Sequence, residues 1–383
     1  MKLASLPIWA KIVAAAAAVA LIAGAVILIG GGSSDTDGSM ESGKSTKFTE
    51  PAGTSGAMLA SGGGYDSHTL AGTNPITSTG NTVAPTAFVD PTGNTSEPTN
   101  PVIESGEFRI HRYSDRTAFI EKYIGTKTEV VIPSEIEGYR IRDIGDGAFA
   151  YTNVKTVTFP LGFSAIGRNA FKGCTALTSI TMPDSVYYLG EYAFADCTAL
   201  TNVTLSNTLQ DIKKNTFANC TALTSVTIPD SVISIDMFAF YKCANLRNVT
   251  LPKYLTSLGS YAFYECSSLA EITIPNGVTF IPQSAFYNCT SLTSAVISEG
   301  VTTIGYCAFC GCASLDSLTL PSTLMQIYNN AFDGCNQVSS VSFAGNVAQW
   351  DNVIRVSNAF PKEVRTKNMI QCTDGVGKIH VKS

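Results

Sequence analysis

The sequence predicts an α/β solenoid of about nine 23-residue repeats, with a parallel β-sheet on one face and short helical or 3-10 turns on the other. Two observations carry this expectation. Phenylalanines at 149, 171, 194, 217, 240, 263, 286, 309 and 332 recur with one step of 22 residues and then constant steps of 23. Eight cysteines, Cys174, Cys197, Cys220, Cys243, Cys266, Cys289, Cys312 and Cys335, keep strict 23-residue phase with them. A period that fixed is the signature of a stacked-repeat architecture, in which each copy is one small supersecondary unit.

The apolar spacing inside one copy says what that unit is. Ile180 and Met182 alternate around Thr181, which suits a strand with one buried face, and Pro183 has no N–H to offer a ladder and so ends it. Val186 and Leu189 then turn inward. The three-residue steps of Phe194, Cys197 and Leu200 suit a single helical or 3-10 turn, too short to be stable alone. No copy can bury its apolar side by itself, so stability belongs to the stack. At the usual strand spacing of roughly 4.8 Å, nine copies give a slab about 40–45 Å long.

The recurring run Leu-x-x-Val-x-Ile-Pro-x-x-Val-x-x-Ile-Gly-x-x-Ala-Phe-x-x-Cys resembles the BspA-type leucine-rich repeat, and the resemblance covers about 240 residues. Departures are few. Thr216 replaces the Ala before Phe217, Ser206 and Ser298 replace the Pro, and Thr152 stands where the first copy would have Cys. What the resemblance implies is a surface protein that adheres to host proteins, matrix or other cells.

The expected organisation follows the chain. Residues 1–30 read as a membrane anchor or signal segment, because Lys2 and Lys11 precede an uncharged run of 18 residues from Ile12 to Ile29. That run is longer than the roughly 7–15 residues of a cleaved signal, so an uncleaved anchor with an exported remainder is the reading adopted. The first cysteine is Cys174, so nothing near the N-terminus could carry a lipid. Residues 31–105 are dominated by Gly, Ser, Thr, Pro and Asn and read as a disordered stalk. Such a coil would reach roughly 45–50 Å. Residues 106–144 alternate apolar and polar side chains and read as a β-rich N-terminal cap. The repeats occupy 145–350. Trp350 takes the place of the repeat's Ile, and 351–383 drift out of phase as an irregular C-terminal cap closing with Ile370 to Val381.

Composition argues against several functions. A net charge of −5 with 14% charged residues leaves no basic stripe for nucleic acid. The histidines are His68, His111 and His380, none in the repeats, so a Ser or Cys nucleophile there has no neighbouring base. No phosphate-loop, Gly-x-Ser-x-Gly or His-Glu-x-x-His pattern occurs. The sequence reads as a binding protein, not an enzyme, with no cofactor and no metal.

The in-phase cysteines admit two readings, metal ligands or disulfides on the one hand and a buried thiol column on the other. In-phase side chains point in parallel, which is poor disulfide geometry, and no His or carboxylate recurs beside them to complete a zinc set. The buried column is the reading adopted. Cys307, Cys310 and Cys372 lie out of phase; Cys307-x-x-Cys310-x-Cys312 has the spacing of a redox or metal cluster, but the other copies lack it, so substitution at exposed positions is the reading adopted, with a bridge between Cys307 and Cys310 as the lesser one.

Two surface columns are candidate binding sites for a protein or glycan on another cell, host or matrix. The first is the outward strand positions Ser179 and Thr181, Asn202 and Thr204, Ser225 and Thr227, Asn248 and Thr250, Glu271 and Thr273. A solvated sheet face predicts the threonines equally well. The second is Tyr241, Tyr264 and Tyr287, each directly after a buried Phe, which read more simply as side chains leaning over the turn to shield the core. A passive surface component with no specific ligand is the alternative function.

Overall fold

The computed structural model describes residues 102–379 apart from 356, 357 and 368, and all of these belong to one compact unit, Thr82–Ser383. The expected membrane or signal segment at 1–30, and the expected stalk at 31–105 as far as residue 101, lie outside the described residues.

Each copy is a parallel β-solenoid turn, and about ten turns of about 23 residues stack in one coil. The strand before the proline forms where the sequence alternates, at Ser179–Thr181, Asn202–Thr204, Ser225–Thr227, Asn248–Thr250, Glu271–Ile274, Ser294–Ile297, Ser317–Leu320 and Ser340–Phe343. Pairing is parallel and in phase, so Ser225 opposes Asn248 and Thr227 opposes Thr250. The inward residue of each strand is buried, as at Ile180, Val226 and Ile272.

A second parallel ladder runs beside the first and was not expected. It is built from two-residue strands after Val186 and its equivalents, such as Ser234–Ile235, which pairs with Asp211–Ile212 on one side and Ser257–Leu258 on the other. Its inward residues are the Leu189 and Ile235 positions that the sequence had turning to the core.

The third face holds the Phe. The expected i+3 bonds are present: Lys172 N donates to Asn169 O at 3.0 Å, Cys174 N to Phe171 O at 3.1 Å and Leu177 N to Cys174 O at 3.0 Å. They close successive β-turns rather than helix, because the residues two before and two after every Phe are left-handed. Around Phe240 these are Phe238 at φ 60° and Lys242 at φ 57°; around Phe171 they are Asn169 at φ 55° and Gly173 at φ 68°. A right-handed helical turn cannot pass through either position. The strip is nonetheless laddered along the stack, with Phe171 N donating to Ala193 O and Gly173 N to Ala195 O, both at 2.8 Å.

The Phe rings form one column. Successive centroids lie between 4.9 Å, for Phe149 and Phe171, and 5.6 Å, for Phe332 and Phe360, close to the spacing between neighbouring strands. Tyr123 and Phe360, both out of phase with the repeat, extend the column by one ring at each end. Burying each ring contributes about 1.5–3 kcal/mol.

The caps close the open ends. At the N-terminal end β1 (Ile103–Ser105), β2 (Phe108–Arg112) and β3 (Thr117–Tyr123) pair antiparallel, with β1 starting slightly ahead of the expected boundary at 106. After β4 (Glu129–Val131) and β5 (Glu135–Ile136), β6 (Tyr139–Ile144) runs parallel between β3 and Ala165–Ile166. The hairpins therefore cover the edge of the second ladder, which would otherwise be free to pair with another chain. At the other end Trp350 does not stand in the repeat's Ile position. It lies on α1 (Val347–Asn352), a helix nucleated by a capping box in which Gln349 N donates to Asn346 Oδ1 at 2.8 Å and Asn346 N to Gln349 Oε1 at 2.9 Å. Its indole is fully buried and donates to Lys378 O at 3.0 Å, while Ile354–Arg355 takes over the ladder beside Gln326–Ile327. After α2 (Lys362–Lys367), Ile370–Cys372 pairs with Ser340–Phe343 and then, antiparallel, with Gly375–Gly377.

Candidate functional site

All ten sheet-face positions project outward. Thr181, Asn202, Thr204, Ser225, Thr227, Asn248, Thr250, Glu271 and Thr273 are exposed, and Ser179 is half-buried. In-phase pairing sets equivalent positions side by side: Asn202 against Ser179, Thr204 against Thr181, and Glu271 against Ser294. Just before several of the strands a further hydroxyl ties copy to copy, with Thr201 Oγ1 donating to Thr178 O at 3.0 Å and Thr293 Oγ1 to Ala270 O at 3.1 Å. The outward face therefore offers donors and acceptors at a regular rise, and Glu271 is the one ionisable group among the ten.

The face is not uniformly laddered. Among the described residues the strands pair two by two in its first half, Ser179–Thr181 with Asn202–Thr204 and Ser225–Thr227 with Asn248–Thr250, whereas from Glu271 to Gly377 the pairing runs unbroken. Shallow depressions lie over two of the interruptions. One is lined by Thr156, Thr158, Phe159, Ser179, Thr181 and Pro183, the other by Asn202, Thr204, Asn207, Ser225, Thr227 and Pro229. Thr156 and Thr158 are the same two outward positions one copy earlier, whereas Phe159, Asn207 and the prolines lie outside those positions and escape a reading built on them.

The tyrosines lie on the turn face, away from the strands. Tyr241, Tyr264 and Tyr287 are half-buried and stack on one another, with centroids 5.2 Å apart for the first pair and 4.7 Å for the second. Phe238 and Tyr261, left-handed residues, stack beside them at 4.8 Å. Lys242 lies 5.3 Å from the Tyr241 ring centroid and 3.7 Å from a Glu265 oxygen. Because the rings face each other along the axis, this strip presents edges and hydroxyls to solvent more than open ring faces.

The eight in-phase cysteines are buried, and their thiols have a partner that sequence does not reveal. Cys197 Sγ donates to Phe171 O, and Cys220, Cys243, Cys266 and Cys335 repeat the contact to Phe194, Phe217, Phe240 and Phe309, each at 3.1 Å. Every such carbonyl already accepts the N–H of its own copy's cysteine, so the thiol of the next copy takes its second lone pair. Burial pushes the Cys243 thiol up to about 12 and raises Cys197, Cys220 and Cys266 in the same direction. These are protonated donors at neutral pH. Cys307, expected at an exposed position, is buried, and Cys310 is half-buried. Among the described residues no group of three or more His, Cys, Asp or Glu side chains is placed to hold a metal ion.

Comparison with known proteins bears on this geometry. A profile of the BspA type leucine rich repeat region matches residues 123–237 and 210–339, in six copies, which together span more than half of the chain. The chain belongs to this family. Among solved structures, the BspA-type domain is similar to the T. pallidum leucine rich repeat protein TpLRR, at 26% identity over 56% of this chain and 91% of that one, with a TM-score of 0.43. It is also similar to a leucine rich cell surface protein of Faecalibacterium prausnitzii, at 22% identity over 67% and 98% of the two chains and a TM-score of 0.42. For the pneumococcal vaccine antigen PcpA the figures are 17%, 74% and 99%, and 0.41. No curated protein matches.

Proposed function

We propose that this is a surface-displayed binding protein whose BspA-type domain grips an extended protein or glycan along its sheet face. The supporting observation is the array itself: exposed hydroxyls and amides repeated in strict register from Ser179 to Thr273, nearly free of charge. A ligand with its own repeat or an extended backbone engages several copies at once and gains by multivalency. Glu271 is the one ionisable group among the ten and no histidine lies in the array, which supports a binding role over a catalytic one. Display follows from the N-terminal segment, with Lys2 and Lys11 held inside and the remainder exported. Among the described residues no helix is long and apolar enough to cross a membrane, and the run from Ile12 to Ile29 lies outside them.

Asn248 and Thr273 stand near the middle of the full run of these strands, from Ser179–Thr181 to Ser340–Phe343, where contacts weigh most. Protein and glycan arrays probed with residues 106–383 identify the ligand. Asn248→Arg combined with Thr273→Arg is expected to lower affinity at least about tenfold while leaving the melt nearly unchanged, as exposed substitutions do. Replacing Tyr241, Tyr264 and Tyr287 together by Ala is expected to lower stability and spare affinity. Lost binding with an intact melt in the tyrosine triple, and normal binding in the arginine pair, moves the site to the turn face. Absence of saturable binding leaves a passive surface component.

A further inference from the structure

Cys307 and Cys310 occupy the positions two before and one after Phe309. In two other copies the same positions hold Phe238 with Tyr241 and Tyr261 with Tyr264, and in both the two rings meet, at centroid distances of 5.6 and 5.8 Å. The repeat's backbone therefore aims these two side chains at each other. In the copy of Phe309 both are thiols.

The backbone geometry suits a bridge. Cys310 N donates to Cys307 O at 3.2 Å, closing a β-turn, and the Cα atoms across such a turn lie within about 7 Å, the span a disulfide bridges. Neighbouring copies hold the turn in place, with Cys307 N donating to Asn329 O at 3.2 Å and Asn288 N to Cys310 O at 2.8 Å. The in-phase thiols differ in both respects. They are essentially unexposed and each is engaged by a Phe carbonyl, whereas Cys310 is half-buried and reachable from solvent.

We propose that Cys307 and Cys310 form a disulfide across this turn on meeting a disulfide-class oxidant. Burial and the neighbouring Cys307 hold the Cys310 thiol above its usual range, so it gives its proton to solvent base as its sulfur attacks one sulfur of the oxidant and expels the first thiol, leaving a mixed disulfide on Cys310. The Cys307 thiolate then attacks the Cys310 sulfur and expels the second. Two protein thiols lose two protons and two electrons, and the oxidant is reduced to two thiols. Cys307 is the buried resolving group and Cys310 the exposed point of entry. The bridge fixes a turn whose first cysteine is left-handed, at φ 51°, beside the end of the tyrosine stack at Tyr287.

The test uses the full chain, reduced and desalted, exposed to oxidised glutathione, and then denatured in excess iodoacetamide so that every remaining thiol is blocked as it becomes accessible. Peptide mass mapping should find the segment containing Cys307 and Cys310 lighter by about 2 Da than its dithiol form, the two hydrogens lost on bridging, with neither sulfur alkylated. Cys307→Ser should trap glutathione on Cys310. Alkylation of both cysteines after the oxidant treatment overturns the proposal, and so does a free Cys310 in the folded Cys307→Ser variant. The wild-type mapping decides the matter even if that variant does not fold.

Discussion

A cysteine in the repeat's small slot differs from an alanine by one donor, and the carbonyl of Phe217 uses it through Cys243. Cys243→Ala removes both the sulfur's packing and this bond, so it is expected to cost about 1–3 kcal/mol in a denaturant titration. In the folded chain the in-phase thiols should resist alkylation and become reactive together on unfolding without reductant. Recovery of four or more disulfides among them would contradict the thiol column. The same burial makes the column sensitive to alkali. With the Cys243 thiol raised from 9.0 to about 12, its contribution is intact below pH 9 and is lost as pH climbs toward 12, because the unfolded chain releases its proton first. Thermal melts should therefore fall steadily across that interval, and a melting temperature that stays level up to pH about 11 would show that the thiols titrate as if exposed.

Among the elements, α1 carries the clearest single anchor. Trp350 packs against Phe343 and Phe360 and bonds Lys378, so Trp350→Ala should cost about 3–5 kcal/mol. Each turn of a solenoid touches only its neighbours, so the damage should stay local. Hydrogen exchange should show Ser340–Phe343 and Ile370–Cys372 losing protection while Ser179–Thr181 keeps it. Equal loss at both ends would mean that the stack unfolds as one unit. The turn strip was half legible at this scale. Its three-residue spacing was read correctly, but the left-handed residues that divide it include Phe238, Tyr261, Lys242 and Glu265, whose types give no warning of positive φ. The second ladder offered even less, since two residues per copy are too few to show alternation.

For the whole molecule, the open issue is where the solenoid is displayed. If Ile12–Ile29 stays attached, the native protein should retain its N-terminus and fractionate with membranes, as N-terminal sequencing and fractionation will show. A mature N-terminus near Gly32 would instead make it a secreted binder with the same sheet face.

The sequence determined the coil by itself because repetition turns nearness in space into equality of phase: Phe217 meets Phe240, and Ser225 meets Asn248, simply as the same position one copy on. The outward columns were legible for that reason, and the buried cysteine slot with them. Where the phase breaks, only the tertiary structure decides. Tyr123 and Phe360 join the aromatic column from segments with no repeat, and Trp350 leaves its expected strand for a helix set by Asn346 and Gln349. The second lone pair of the Phe217 carbonyl likewise finds its thiol one copy further on, at Cys243, because backbone turns aim side chains in ways that residue spacing alone does not encode.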